Sequence, residues 1–394
     1  MDILEDIRVL SFNHFLLGPM GTQVLADLGA DVICIEPVGG AFQRHWGGAN
    51  RRIDNETMLH LCGNRNKRSL AVDMKSTEGS EIIEKLISTA DVLSENFRPG
   101  VMDKLGFGYD SVRQINPKLI YAAASGYGQD GPYSERPGQD LLIQSLSGLA
   151  NITGSEDQPP TAVGVSAADH HGAQILAMSI LAALFRRERT GKGSRVDVDL
   201  LSAALDLQNE SLVCYANGRE QTQRPPPNIA GWYFPAPYGI YTVRDGHVAI
   251  SLGSLESLAK AISLPALNKF NSNEVFEKKK EIAALIQATV KHFDTAELES
   301  TLEKEKLWYA RVNDYKAVLN DPQVQHNGSF LRVNSAAQTP ITLLAHPAKY
   351  DGKRPGMRLP PQPLGSQTME ILKEIGYSDE QVKKLTKTGV LHVA

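Results

Sequence analysis

Ile7-Arg-Val-Leu-Ser-Phe12, a loop Asn13-His-Phe-Leu-Leu-Gly-Pro19, a helical stretch over residues 20–28 stopped by Gly29, and Asp31-Val-Ile-Cys-Ile-Glu36 follow one another near the start of the chain. This run decides the fold. Both outer segments are almost continuously apolar, as strands buried on two faces of a parallel sheet must be. The segment between them has the length of one crossover helix, so the whole reads as a βαβ unit.

The alternation continues outward. Residues 68–73 read as a strand, 76–90 as a helix and 91–95 as a strand, before the turn Asn96-Phe-Arg-Pro-Gly100. A strand at 119–124 precedes the glycine-rich loop Ser125-Gly-Tyr-Gly-Gln-Asp-Gly-Pro132, and a helix is expected over 140–149. Residues 195–200 alternate strictly and predict a strand, followed by a helix over 201–217. The pattern predicts an α/β chain whose large domain, residues 1–220, is a Rossmann-like parallel sheet. Pro225, Pro226, Pro227, Pro235 and Pro237 mark residues 221–237 as a linker. Strands at 239–243 and 247–252, with helices near 255–261, 274–292 and 296–304, predict a smaller α+β domain over 238–330. Residues 331–394 are expected to be a proline-rich return segment whose terminal helices, 369–375 and 380–385, pack on the large domain.

A formal charge of −4 with dispersed Lys and Arg argues against nucleic acid as a partner. Cys34, Cys62 and Cys214 are too scattered for a disulfide framework or a Cys-based metal site. No run approaches the roughly 18 apolar residues of a membrane span, and the acidic N-terminus has no apolar signal core. A cytoplasmic protein without membrane attachment is expected.

Asp169 lies in Gly164-Val-Ser-Ala-Ala-Asp-His-His-Gly172, ahead of an apolar run over 173–187 that predicts a buried helix. Its carboxylate has two readings. It caps that helix by accepting backbone N–H bonds, or it is a nucleophile reached through a stretch of small residues. Other chemistries find little support. Glu36 resembles the ribose-binding acid of dinucleotide folds, yet Gly18 and Gly21 do not make G-x-G-x-x-G. His170 and His171 are adjacent and cannot chelate one metal as an i, i+4 pair would, so no metal site is expected. There is no G-x-S-x-G elbow.

The chain resembles the class III CoA-transferases, the family of formyl-CoA transferase and carnitine CoA-transferase that also contains the α-methylacyl-CoA racemases. The resemblance rests on Leu28-Gly-Ala-Asp-Val-Ile-Cys-Ile-Glu-Pro37, Asn66-Lys-Arg-Ser-Leu-Ala-Val-Asp-Met-Lys75 and Ala90-Asp-Val-Leu-Ser-Glu-Asn-Phe-Arg-Pro-Gly100. Gly126-Tyr-Gly-Gln-Asp-Gly-Pro132, Asp140-Leu-Leu-Ile-Gln-Ser-Leu-Ser-Gly148 and Thr190-Gly-Lys-Gly-Ser-Arg-Val-Asp-Val198 extend it. It is dense over residues 5–215 and thin beyond. What it implies is CoA transfer from an acyl-CoA to a carboxylic acid, through an aspartyl anhydride and an aspartyl–CoA thioester, with Asp169 as nucleophile. It implies CoA contacts at Leu16, Leu17, Val72, Asp73, Met74, Lys75, Asn96, Phe97, Arg98, Lys104, Arg136 and Gln139. No permanently bound cofactor is implied; CoA and acyl-CoA are substrates. An interlocked homodimer is the family's assembly. Backbone N–H groups near Gly126, Gly128, Ala167 and Ala168 are expected to stabilise the oxyanions.

Two departures narrow the expectation. The racemases place a His where this chain has Gln139, which cannot transfer a proton. Formyl-CoA transferase has a tetraglycine loop where residues 224–233 here hold one glycine, and a Gln where Leu16 stands; both argue against oxalate as acceptor. The alternatives are a 2-methylacyl-CoA racemase and an acyl-CoA-binding protein without chemistry. Small dicarboxylic acids, with succinate as donor, are the substrates suggested by family analogy.

Overall fold

The computed structural model describes residues 2–218 and 224–394; the first residues of the expected linker, 221–223, lie outside them. The described chain divides into two compact units. One comprises residues 1–143, 166–207 and 325–394, and the other residues 144–165 and 208–324.

The first unit is built on a seven-stranded sheet. Its strands are β1 (Arg8–Phe12), β2 (Asp31–Glu36), β3 (Lys67–Val72), β4 (Val92–Glu95), β5 (Ile120–Ser125), β6 (Ser194–Asp199) and β7 (Leu391–His392). Their order is β7-β3-β2-β1-β4-β5-β6. All neighbours are parallel except β7, which runs antiparallel on β3 with Leu391 opposite Val72. The parallel strands thus follow the doubly wound order 3-2-1-4-5-6, with its switch point between β1 and β4.

Successive strand residues feed opposite cores, as the period of two demands. Leu10, Ile33, Leu93 and Tyr121 face one cluster, closed by Ile82, Ile83, Leu86 and Ile87 of helix α2 (Thr77–Thr89) and by Ile371 and Val382. Val9, Val32, Val92 and Ile120 face the other, against helix α1 (Leu17–Asp27) and a long helix over 167–190. The shorter α3 (Tyr109–Ile115) and α4 (Asp140–Leu146) complete the elements needed below, and the long helix, Ala167–Thr190, is α5.

The α/β expectation is borne out, with corrections in detail. The helix expected over 140–149 is broken at Gly148, whose φ of +86° is the left-handed turn that glycine adopts without strain. Helix α5 starts well before residue 173 and is not apolar-buried all round. Leu176, Ile180 and Leu184 are buried, while Met178 and Phe185 are 63% and 61% exposed. The proline-rich stretch after 330 contains a hairpin, Phe330–Asn334 with Pro340–Leu344. Pro340 opens its strand, the position where a missing N–H costs least.

The second unit carries a three-stranded antiparallel sheet with Gly246–Ile250 in the middle, flanked by Gly239–Val243 and Tyr309–Arg311. Tyr241, Val248 and Ile250 pack on Leu258, Ile282, Ile286 and Leu298 from its helices.

Candidate active site

The loops that leave the C-terminal ends of β1, β4 and β5 enclose a cavity of about 470 Å³ at the switch point. That end of an open parallel sheet is where ligands bind, because the diverging loops leave a crevice there.

The loop after β1 turns sharply at Phe15, whose φ of +55° is costly for a residue with a side chain. The turn lets α1 begin at Leu17. Asn96, just after β4, clasps this loop: it accepts the His14 N–H and donates to the His14 carbonyl, both at 2.8 Å. Behind it, the buried Glu95 carboxyl accepts the Phe97 N–H at 2.9 Å. Burial pushes Glu95 up to about 8, so it is protonated near neutrality. The His14 ring lies 5.1 Å from that of Phe97, and burial lowers it to about 4.

A second crossing shapes the other wall. The loops at 125–128 and 136–139 touch at Gly126 and Gly138. A Cβ on Gly138 would lie 2.3 Å from the Gly126 Cα, so neither position admits a side chain without moving backbone.

Asp169 stands in the first turn of α5 and lines this cavity. The capping role open to it by local sequence is performed by Asp140 of α4. Asp140 Oδ1 accepts the N–H groups of Ala168 at 2.8 Å and of Asp169 itself at 3.1 Å. The Asp169 carboxylate instead faces the first N–H of α1, that of Leu17. Gly172 permits this approach: a Cβ there would meet Leu17 Cδ1 at 2.7 Å. Burial raises Asp169 to about 7; the neighbouring charge of Asp140 adds to the rise, and the Leu17 N–H offsets part of it.

Leu17, Asn96, Phe97, Arg98, Arg136 and Gln139 line the same cavity as Asp169. Leu16, Val72, Asp73, Met74, Lys75 and Lys104 are not among its lining residues. Leu16 and Met74 are buried in the protein, and Val72 is taken up by β3 and its partner Leu391. Asp73 Oδ1 accepts the Lys75 N–H at 3.0 Å. Lys104 ends the short helix Val101–Lys104. Two of the expected oxyanion donors are already engaged. Ala168 N–H is held by Asp140, and Gly128 N–H donates to Ser125 Oγ at 3.0 Å. Sequence reasoning passes over His14, Asp140 and Glu95, because capping and clasping between distant segments leave no local spacing to read.

The sequence pattern of CoA-transferase family III matches residues 4–368. The chain belongs to that family. Succinyl-CoA:glutarate CoA-transferase of Mus musculus is 33% identical, over 99% of this chain and 91% of that protein. Formyl-CoA:oxalate CoA-transferase of Shigella sonnei is 30% identical, over 98% and 99% respectively. A crystal structure of a CAIB/BAIF family protein from Brucella suis superimposes with a TM-score of 0.82 at 29% identity, covering 94% of this chain and 98% of that one. The protein is a CoA-transferase, acting on CoA thioesters. No helix among the described residues is long and apolar enough to cross a membrane.

The environment of Asp169 gives this CoA-transferase an expected pH dependence. If the ionised carboxylate attacks, kcat/KM rises as pH increases through about 7. Asp140→Asn keeps an oxygen to cap α5 but removes the negative neighbour, so the acid limb of the profile moves to lower pH. A pH–rate profile of both proteins checks this; an unmoved limb in the variant means the Asp140 charge does not act on the titrating group.

Proposed function

We propose that Asp169 is the nucleophile of CoA exchange between succinyl-CoA and a small dicarboxylic acid of about glutarate size. The carrying observation is a carboxylate that lines the switch-point cavity, aimed at the first N–H of α1, with its own helix capped by another acid. It is therefore free of the structural duty that would hold it.

An Asp169 oxygen attacks the thioester carbonyl and the C–S bond breaks, leaving an acyl–aspartyl anhydride and CoA thiolate. The thiolate attacks the aspartyl carbonyl, expelling the first acid as its carboxylate and leaving an aspartyl–CoA thioester. The acceptor carboxylate attacks that thioester and frees the thiolate again. The thiolate then attacks the acceptor's acyl carbonyl, giving the new acyl-CoA and restoring Asp169. No proton moves, so no general base is needed. The Leu17 N–H, backed by the N-terminal end of α1, is placed to stabilise oxyanions formed at the aspartyl carbon.

The names of the mouse enzyme and of succinate–glutarate CoA-transferase from Agrobacterium fabrum, 31% identical over 94% of this chain, support the substrate pair. Arg98 and Arg136 supply positive charge to the cavity for the anionic groups of both substrates. A racemase needs two proton-transfer groups across the substrate. Gln139 is not one, and His14, held near 4, is a weak base at neutral pH.

Mass spectrometry of the peptide containing Asp169, after mixing with succinyl-CoA and no acceptor, tests the mechanism: a CoA thioester on Asp169 is expected. Its absence during active turnover rules the covalent route out. Products from a panel of acids identify the acceptor, and α-deuteration of a 2-methylacyl-CoA in deuterated water would instead establish the racemase.

Assembly as a homodimer belongs to the same proposal. The exposed Met178 and Phe185 of α5 and Leu142 of α4 are apolar surface that a second copy can cover. Sedimentation at twice the 43.0 kDa chain mass is expected, and a stable monomer at micromolar concentration refutes it.

A further inference from the structure

A second cavity, of about 400 Å³, opens in the first unit at the opposite end of the sheet from Asp169. Its lining residues Leu119 and Gly193 stand immediately before β5 and β6, at the N-terminal ends of the strands, whereas the Asp169 cavity follows their C-terminal ends. Arg113 of α3, Arg186 near the end of α5 and Lys192 of the following loop converge on it. None of the three side chains makes an ion pair or hydrogen bond among the described residues. The adjacent Arg187 behaves otherwise: it is paired with Asp91 at 2.8 Å.

The bland account is that cations suit a helix C-terminus. It covers Arg113, in the last turn of α3, but neither Arg186, which lies before the last turn of α5, nor the convergence of three segments on one concavity. The concavity is also held in shape. Gly193 N–H donates to the Pro117 carbonyl at 3.2 Å, and a Cβ on Gly193 would lie 2.3 Å from the Leu119 oxygen, so the loop carrying Lys192 is pressed against residues 117–119. The Asn116 amide donates to the carbonyls of Ile87 and Ala90 at 3.0 and 2.8 Å. Tyr109 and Tyr121, edge to face at 5.8 Å, form an aromatic wall.

The geometry points to a second binding site, for a compact oligophosphate anion, either free diphosphate or the diphosphate of a nucleotide. Three positive charges around a space of small-ligand size match several anionic oxygens on one molecule better than a single carboxylate. Two guanidinium forks suit phosphate oxygens in particular.

Calorimetric titration of the full chain with inorganic pyrophosphate tests the site. Saturable one-to-one binding is expected, weakened at least tenfold in the triple variant Arg113→Ala, Arg186→Ala, Lys192→Ala and unchanged in Arg98→Ala, which alters the other cavity. The single variant Arg113→Glu, on an exposed position, provides the same reading should the triple variant fold poorly. CoA transfer without pyrophosphate should be unaffected in the triple variant. ADP binding more tightly than pyrophosphate, with the gain lost in Tyr109→Leu, identifies a nucleotide; equal affinity identifies the diphosphate alone. No binding of either ligand, or equal binding by wild type and both charge variants, overturns the assignment.

Discussion

Asp169→Asn is expected to abolish CoA transfer, by at least about 10⁴-fold in kcat, while making the fold more stable above neutral pH. The first effect follows if Asp169 is the covalent nucleophile, since an amide does not form the anhydride and removing a nucleophile costs losses of that order. CoA affinity should stay within about threefold, because shape is kept and only one charge is lost. The second effect follows from titration. The folded protein holds the Asp169 proton up to about 7, against an ordinary value of 3.8. Below 3.8 the group is protonated whether the chain is folded or not and costs nothing. Between 3.8 and 7 the unfolded chain ionises and the folded one does not, so stability falls as pH rises; above 7 the full cost is present. The gap corresponds to at most about 4 kcal/mol, and solvent on the cavity side reduces this to about 1–3 kcal/mol. Denaturant unfolding at pH 5 and pH 8.5 checks it: the variant's advantage should appear mainly at the higher pH. A variant that retains transfer, or that is less stable at pH 8.5, contradicts the assignment of Asp169 as a half-buried, destabilised nucleophile.

Gly138→Ala carries the second large effect, although it adds a single methyl group. That methyl would stand 2.3 Å from the Gly126 Cα, against backbone that has no rotamer to escape into. The loops at 125–128 and 136–139 must part, and Gly126, Arg136 and Gln139 all move with them. Misplacement on the order of 1 Å near reacting atoms costs roughly 10²-fold. We therefore expect kcat/KM to fall by about 10–100-fold, with a stability loss of about 1–3 kcal/mol typical of overpacking. Ala in place of Gly356, which is not left-handed and where a Cβ would meet nothing within 4 Å, is the control for adding a methyl group without a clash. If Gly138→Ala turns over as wild type does, the crossing is not what holds the cavity wall.

The layered architecture was legible because the inner strands of the parallel sheet are buried on both faces and so carry an unmistakable apolar signature. Arg8–Phe12, Asp31–Glu36 and Ile120–Ser125 lie within a residue or so of their expected positions. The edge strand Leu391–His392 was not legible: two residues carry no periodicity, and only the exposed edge of β3 selects them. Phe330–Asn334 and Pro340–Leu344 are half-exposed, and the second opens on proline, which together hide the hairpin from hydropathy. At the site, Asp169 was found by its setting and by family motifs, which match stretches of sequence. Motifs do not report direction, and Val72–Lys75 shows the difference: the segment is well matched, yet Val72 and Met74 turn into the core. Asp140 shows the converse. It opens a recognised motif, but its service to a helix that begins 27 residues later, at Ala167, is a fact of three dimensions.

The first unit is threaded from three separated stretches of chain, the last of which begins at residue 325. Strand β1 is joined to that last stretch by the ion pair of Arg8 with Glu374, 366 positions away. On a ribosome, residues 208–324 emerge with all their sheet partners local to them, whereas the sheet around β3 waits for β7. Closing so long a loop is entropically slow, and topologies dominated by distant contacts fold late. The edge of β3 that awaits Leu391, and the apolar face that awaits Ile371, therefore stay open to chaperones, or to self-association, while synthesis is unfinished.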